Sequence, residues 1–288
     1  MMFKINSIGV VGLGFVGTAV KNGFEKKVNV ETYDKYSEDK STCTSLEELV
    51  SKTKILFLCL PTPMSPDGSC DLSIIRETVL KIDELATKEH VVVIKSTILP
   101  GTTSDLNQIC AKIQVVFNPE FLTEANYIED FKNQTRIVLG GPRPGTTIVK
   151  TLYKKVFEET PIIKTGSTTA EFVKYFLNCF LATKVSFANE FKQVCDRLNV
   201  DFDKVVEYAL YDKRLGNTHF SVPGPDGKLG FGGSCFPKDL NAFINLAERL
   251  DIDSMVLSSA WRKNLELRPE KDWEKLLGRA VNFAKKEK

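Results

Sequence analysis

The first half of the chain alternates short apolar runs with longer stretches in which polar and apolar positions mix. Ile8–Val11, Val28–Tyr33, Ile55–Leu60, Val91–Ile94, Val115–Phe117 and Ile137–Leu139 are the runs. Their length and β-branched content predict buried strands. Helical patterns lie between several of them, at Thr18–Glu25, Leu46–Ser51 and Leu72–Ala86. This alternation predicts an α/β domain over residues 1–165 with a doubly wound parallel sheet.

The pattern then changes to an uninterrupted helical stretch from Thr169 to about Leu198, without Gly or Pro. Its apolar positions, among them Phe172, Phe176, Phe180, Phe187, Phe191 and Val194, are too many for one narrow stripe. The helix is therefore expected to be covered on more than one side, either within one subunit or in a dimer interface. Gly216–Gly233, rich in Gly and Pro, predicts a long loop, and Leu240–Arg249 and Ser254–Leu265 predict helices. After Pro269, the residues Trp273, Leu276, Leu277, Ala280 and Val281 recur at helical spacing and predict a short closing helix. The expected division is thus 1–165, an all-α domain built on the long central helix over 166–265, and a helical tail over 266–288.

Composition narrows the function classes. Lys plus Arg number 39 against 37 Asp plus Glu, a formal charge of +2, with 26% charged and 42% hydrophobic residues. That is the make-up of an ordinary globular protein, and it offers no electrostatic case for nucleic acid or a membrane surface. The apolar runs fall well short of the roughly 18–20 residues of a membrane span. The opening Met1-Met2-Phe3-Lys4-Ile5-Asn6 lacks the features of a secretory signal, so a cytoplasmic location is expected. Seven cysteines, with no C-x-x-C pair and only His90 and His219 beside them, suit neither a disulfide framework nor a zinc site. No metal is expected.

Three groups of residues suggest chemistry. Gly12, Gly14 and Gly17 follow a strand and open a helix, as a dinucleotide turn requires, and Asp34 ends the next strand at the distance of a ribose-binding carboxylate. A carboxylate there repels a 2′-phosphate and favours NAD over NADP, although Lys35 weakens that preference. Cys235 lies between the flexible pair Gly232-Gly233 and a helix with Pro237 in its first turn, beside Lys238. The positive helix end and the lysine both favour a thiolate, the state of a nucleophile. Asp239 is either a helix-start residue or a carboxylate able to act on water. Lys174 and Asn178, four residues apart, share a helix face and can point at one oxygen.

With these pieces in place the sequence resembles the UDP-glucose/GDP-mannose dehydrogenase family. The matching segments are Gly12-Leu13-Gly14-Phe15-Val16-Gly17, Leu60-Pro61-Thr62-Pro63, Lys95 to Thr102, and Asn118 to Glu124. Further matches are Ala170-Glu171-Phe172-Val173-Lys174 with Asn178, Lys213 to Asn217, and Phe231 to Asp239. The resemblance implies a Rossmann-type first domain and a four-electron oxidation of a nucleotide sugar at C6, UDP-glucose foremost, with NAD as cofactor. It implies Cys235 as the nucleophile passing through thiohemiacetal and thioester, and Lys174 and Asn178 as donors to the C6 oxyanion. Thr97, Glu120 and Asp239 would hold or activate water. Phe15, Val16, Lys35, Thr62, Thr97 and Glu124 would join the glycines and Asp34 around the cofactor. Glu120, Lys174, Asn178, Phe231 and Gly232 would meet the sugar nucleotide, with Arg214 reaching it from a neighbouring subunit of a homodimer built on Thr169–Leu198. The product would be a uronate of the kind polysaccharide biosynthesis consumes.

Family members usually continue into a further nucleotide-closing domain, which is not in this sequence, so a short form with a more open cleft is expected. Ser221–Lys228 could act as a partial lid. Two alternatives stand beside the main reading. One is a two-electron dehydrogenase of the β-hydroxyacid type, which the setting of Cys235 argues against. The other is a non-catalytic nucleotide-binding homologue.

Overall fold

The computed structural model describes residues 5–283. Met1–Lys4 and the end of the expected tail, 284–288, lie outside the described residues. Contacts divide the chain into two compact units, Met1–Thr62 with Leu72–Lys174, and Pro63–Asp71 with Tyr175–Lys288. The division thus falls after Lys174, inside the long helix, and the short Pro63–Asp71 segment goes with the second unit.

The first unit runs β1 (Ser7–Val11), α1 (Phe15–Phe24), β2 (Asn29–Tyr33), α2 (Leu46–Lys52), β3 (Ile55–Leu58), α3 (Ser73–Leu85) and β4 (Val91–Ile94). It continues through α4 (Thr102–Ile109), β5 (Gln114–Phe117), α5 (Tyr127–Lys132), β6 (Ile137–Gly140), α6 (Gly145–Lys154) and β7 (Ile162–Thr165) into α7 (Ser167–Arg197). The strands form one seven-stranded sheet in the order β2-β1-β3-β4-β5-β6-β7. All neighbours pair in parallel except β5 and β6, which meet antiparallel at Phe117 and Gly140.

Alternation along each strand feeds two cores. Ile55 and Phe57 of β3 face one side with Phe24, Phe131 and Tyr153, whereas Leu56 and Leu58 face the other with Leu49, Ile75 and Val79. The first side is tied by aromatic contacts of Phe24 with Phe57, Phe131 and Tyr153, at centroid separations of 5.7, 6.1 and 5.2 Å. Truncating so central a ring costs about 3–5 kcal/mol, a large part of the net stability of a typical domain.

The second unit contains the rest of α7, then α8 (Phe202–Ala209), α9 (Phe236–Glu248) and α10 (Met255–Leu267). Asp201 starts α8, its carboxylate accepting from the amides of Asp203 and Lys204. Residues 216–233 form the expected loop without helix or strand. The closing segment departs from the expected helix. Among the described residues of this segment only a 3₁₀ turn forms, at Asp272–Lys275, and Val281 is bridged to Met64 and Leu277. The cause is pairing with distant backbone: Met64 donates to Ala280 and Asn282 donates to Met64, at 2.8 and 3.0 Å. Trp273, Ala280 and Val281 are buried around Met64 by that route.

Along α7 the buried positions include Ala170, Tyr175, Cys179, Ala182 and Ala188. Phe172, Phe176, Phe180, Phe187, Phe191 and Val194 stay exposed. Among the described residues no helix is long and apolar enough to cross a membrane.

Candidate active site

In the first unit, strand register places the candidate residues. Val11 pairs with Tyr33 and with Leu58, Leu58 with Ile94, and Ile94 with Phe117. Five parallel strands therefore end in line. The next residues, Gly12, Asp34, Cys59, Lys95 and Asn118, open five adjoining loops at the carboxyl edge, where open α/β sheets bind ligands.

Gly12 has φ +89°, and a side chain on it would meet the Cys59 carbonyl oxygen at 2.6 Å. One on Gly17 would meet the Gly12 carbonyl oxygen at 1.8 Å. Gly14 differs, because the space its side chain would fill is open and α1 starts from it without a side-chain cap. A helix start reached over bare backbone is what a pyrophosphate needs. Asp34 stands against this turn. Its Oδ2 accepts from the Leu13 amide at 2.6 Å and its Oδ1 from the Tyr36 amide at 2.8 Å. The turn and carboxylate fit a dinucleotide, and Lys35 beside them is exposed, its ammonium 5.8 Å from the Tyr36 ring centroid.

The next two loops are tied together. Thr62 Oγ1 donates to the Thr97 carbonyl at 2.8 Å, and Ser96 Oγ to the Leu60 carbonyl at 2.6 Å. Beyond β5, Glu120 Oε1 is 2.8 Å from Lys174 Nζ, which also donates to the Glu120 carbonyl at 2.8 Å. Both side chains are buried. Burial opposes ionisation of Glu120, but the Lys174 ammonium and the Leu122 amide outweigh it and hold the carboxyl below its ordinary range. Glu124 is exposed in the segment that follows.

Lys95, Asn118, Tyr153 and Glu171 complete this group, and none is a candidate from sequence. Lys95 is buried and donates to Asn118 Oδ1 at 3.0 Å, which also accepts from Tyr153 Oη at 2.5 Å. Burial pushes the Lys95 ammonium down to about 8. Glu171, fully buried one turn before Lys174, accepts from the Gly101 and Thr103 amides at 2.6 and 2.8 Å and so holds the start of α4. Lys95, Asn118 and Glu171 lie in the segments that carry the resemblance, and Tyr153 lies outside them. A lysine directly after the apolar run Val91–Ile94 was the available signal.

In the second unit, Cys235 occupies the N-cap position of α9, with Pro237 in the first turn. Its carbonyl accepts the Asp239 amide at 2.9 Å. Asp239 is buried, and its two oxygens are divided: Oδ2 accepts from Asn178 Nδ2 at 2.6 Å and Oδ1 from Lys238 Nζ at 2.5 Å. Burial opposes the charge on Lys238, but Asp239, with Cys70 and Cys235, holds the ammonium above its ordinary range. Phe231 is buried, its ring 6.0 Å from Phe236 and 6.2 Å from Trp261. Arg214 is exposed and paired through its guanidinium with Asp212.

Sequence comparison bears on both units. The NAD binding domain of the UDP-glucose/GDP-mannose dehydrogenase family matches residues 22–159, and the central domain of that family matches 168–266. The chain belongs to this family. The glycine turn lies just ahead of the first matched span. The UDP-glucose 6-dehydrogenase AglM of Haloferax volcanii is 31% identical over 88% of this chain and 68% of its own length. The UDP-glucose 6-dehydrogenase of Rickettsia bellii is 36% identical over 76% of this chain, which spans 51% of that relative. A UDP-glucose dehydrogenase structure from Pyrobaculum islandicum superimposes with TM-score 0.81 at 33% identity, covering 93% of this chain and 69% of that one. Membership in the family makes NAD the cofactor of the first unit, whose glycine turn and Asp34 fit it.

Proposed function

We propose that this dehydrogenase-family chain oxidises the C6 alcohol of a nucleotide sugar to the carboxylate, with UDP-glucose the first candidate substrate. The observation that carries the reading is the setting of Cys235: a thiol at a helix N-cap, followed within one turn by a buried carboxylate that is bonded to both an amide and a lysine. A two-electron dehydrogenase has no use for that thiol.

NAD, when bound, supplies the hydride acceptor at each of two oxidations. In the first, the C6 hydroxyl loses its proton and C6 loses hydride, leaving an aldehyde. Cys235 as thiolate then adds to that carbonyl, and the tetrahedral oxyanion is met by donors from Lys174 and Asn178. Loss of a second hydride converts the thiohemiacetal to a thioester. Water, held by Thr97, Glu120 or Asp239, attacks the thioester carbon, the C–S bond breaks, and the thiolate and carboxylate separate. The reaction consumes one water and yields two NADH per sugar.

The exposed phenylalanines of α7 support a homodimer formed through Thr169–Leu198, with Arg214 serving the partner's site. A uronate product would suit polysaccharide assembly.

The test is NADH counted per sugar consumed with UDP-glucose, UDP-N-acetylmannosamine and GDP-mannose. Two NADH, with turnover abolished in Cys235→Ser while NAD binding persists, is the expected result. One NADH with free aldehyde indicates the two-electron alternative, and nucleotide binding without turnover the non-catalytic one.

A further inference from the structure

We propose that Asn264 is a positioning residue for the Cys235 thiol, acting through the backbone of the loop that carries it. The inference rests on the reading of Cys235 as nucleophile. Asn264 is fully buried in the last turn of α10, and its amide is spent on a single distant residue. Its Oδ1 accepts from the Phe231 amide at 2.7 Å, and its Nδ2 donates to the Phe231 carbonyl at 2.9 Å. One side chain thus does for Phe231 what a neighbouring strand does in a sheet.

The flanking glycines record how closely this clamp sits. Gly230 has φ +66°, and a side chain there would stand 2.4 Å from Asn264 Oδ1. Its amide donates to Asn189 Oδ1 at 3.2 Å. On the far side, a side chain on Gly232 would fall 2.1 Å from Arg268 Nη1 and within 2.8 Å of both Asp272 carboxylate oxygens. Arg268 is itself buried and paired with Asp226. Gly230 to Gly232 are therefore held on both faces, and α9 begins at Phe236. Gly232, Gly233 and Ser234 separate the clamped Phe231 from the thiol residue. Gly233 has φ +73° and open space around it, so it offers no grip of its own. On the loop side Asn264 acts on Cys235 through Phe231, and nearer the thiol the Arg279 guanidinium reaches Ser234 Oγ at 3.5 Å.

The experiment measures iodoacetamide labelling of Cys235 by peptide mass spectrometry, with Cys110 of the first unit as internal reference. Asn264→Ala removes both hydrogen bonds. Asn264→Asp keeps the acceptor for the Phe231 amide and sets a second acceptor against the carbonyl. Several-fold faster labelling of Cys235 in Asn264→Ala, a smaller change in Asn264→Asp, and an unchanged Cys110 rate are expected. NADH per sugar should fall from two towards one, because the thiol serves the second oxidation. Unchanged Cys235 labelling in Asn264→Asp, or acceleration of Cys110 in step with Cys235, overturns the proposal. If the parent makes no NADH from any nucleotide sugar, the proposed function fails, and the labelling still decides the clamp.

Discussion

Asn178 and Asp239 share a 2.6 Å hydrogen bond between buried side chains 61 residues apart in sequence. The bond uses one hydrogen of Asn178 Nδ2 and leaves the other to donate, while Lys238 takes the other Asp239 oxygen. The donor and the carboxylate act as a pair, and changing either disturbs both.

Asn178→Ala should lower kcat on the order of 10²–10³-fold, the usual effect of losing one oxyanion donor. Asn178→Asp sets two carboxyls against each other and should destabilise more than Asn178→Ala at neutral pH. The excess should shrink on acidification as one carboxyl takes a proton. Thermal melts of both variants across pH check this, and equal melting temperatures at neutral pH would contradict it.

Asp34 accepts two backbone amides at the glycine turn, so its carboxylate is fixed where a dinucleotide ribose would lie. A 2′-phosphate would meet that charge directly. NAD should bind much more tightly than NADP, and Asp34→Ala should weaken NAD binding while narrowing the difference. Titration calorimetry with both nucleotides is the measurement; parity in the parent protein removes the assignment.

Lys95 faces Asn118, the Phe131 ring, Cys59, Glu120 and Lys174. Burial pushes it down to about 8. Between that value and the ordinary lysine range near 10.4, the unfolded chain holds a proton that the folded chain has released. Lys95 therefore adds a stability term that rises with pH through that window. The buried thiols of Cys59 and Cys179, pushed up by burial, contribute with the opposite sign. The informative quantity is the difference: denaturant unfolding of Lys95→Met minus parent should show the variant's advantage declining from pH 8 to pH 10. A constant difference would show that Lys95 does not titrate there.

Phe187 and Phe191 lie exposed on α7 with ring centroids 4.5 Å apart, in a row with Phe172, Phe176 and Phe180. A monomer gains nothing from so long an apolar row. Phe187→Asp should shift the sedimenting species from dimer to monomer. Mixed Arg214→Ala and Cys235→Ser chains should regain activity in heterodimers, since one site recovers both residues. Verified heterodimers without activity would show that Arg214 does not serve the partner.

Local pattern alone determined a good deal. The runs that became β1, β3 and β4, the glycine turn, Asp34 and the uninterrupted α7 were all legible, because each depends on neighbours within a few residues. Lys174, Glu120, Asn178 and Asp239 are each legible as candidates, but the bonds that pair Lys174 with Glu120 and Asn178 with Asp239 span 54 and 61 residues and have no periodicity to betray them. The same holds for the Lys95, Asn118 and Tyr153 group, for Glu171 at the start of α4, and for Asn264 on Phe231. Only tertiary structure decided that β6 runs against β5, that Pro63–Asp71 goes with the second unit, and that Leu277–Val281 forms bridges instead of a helix. In the last case the helical spacing was real, but the backbone groups of Ala280 and Asn282 found partners at Met64. A long-range hydrogen bond made in a buried place outweighs a weak local preference of a few tenths of a kcal/mol per residue.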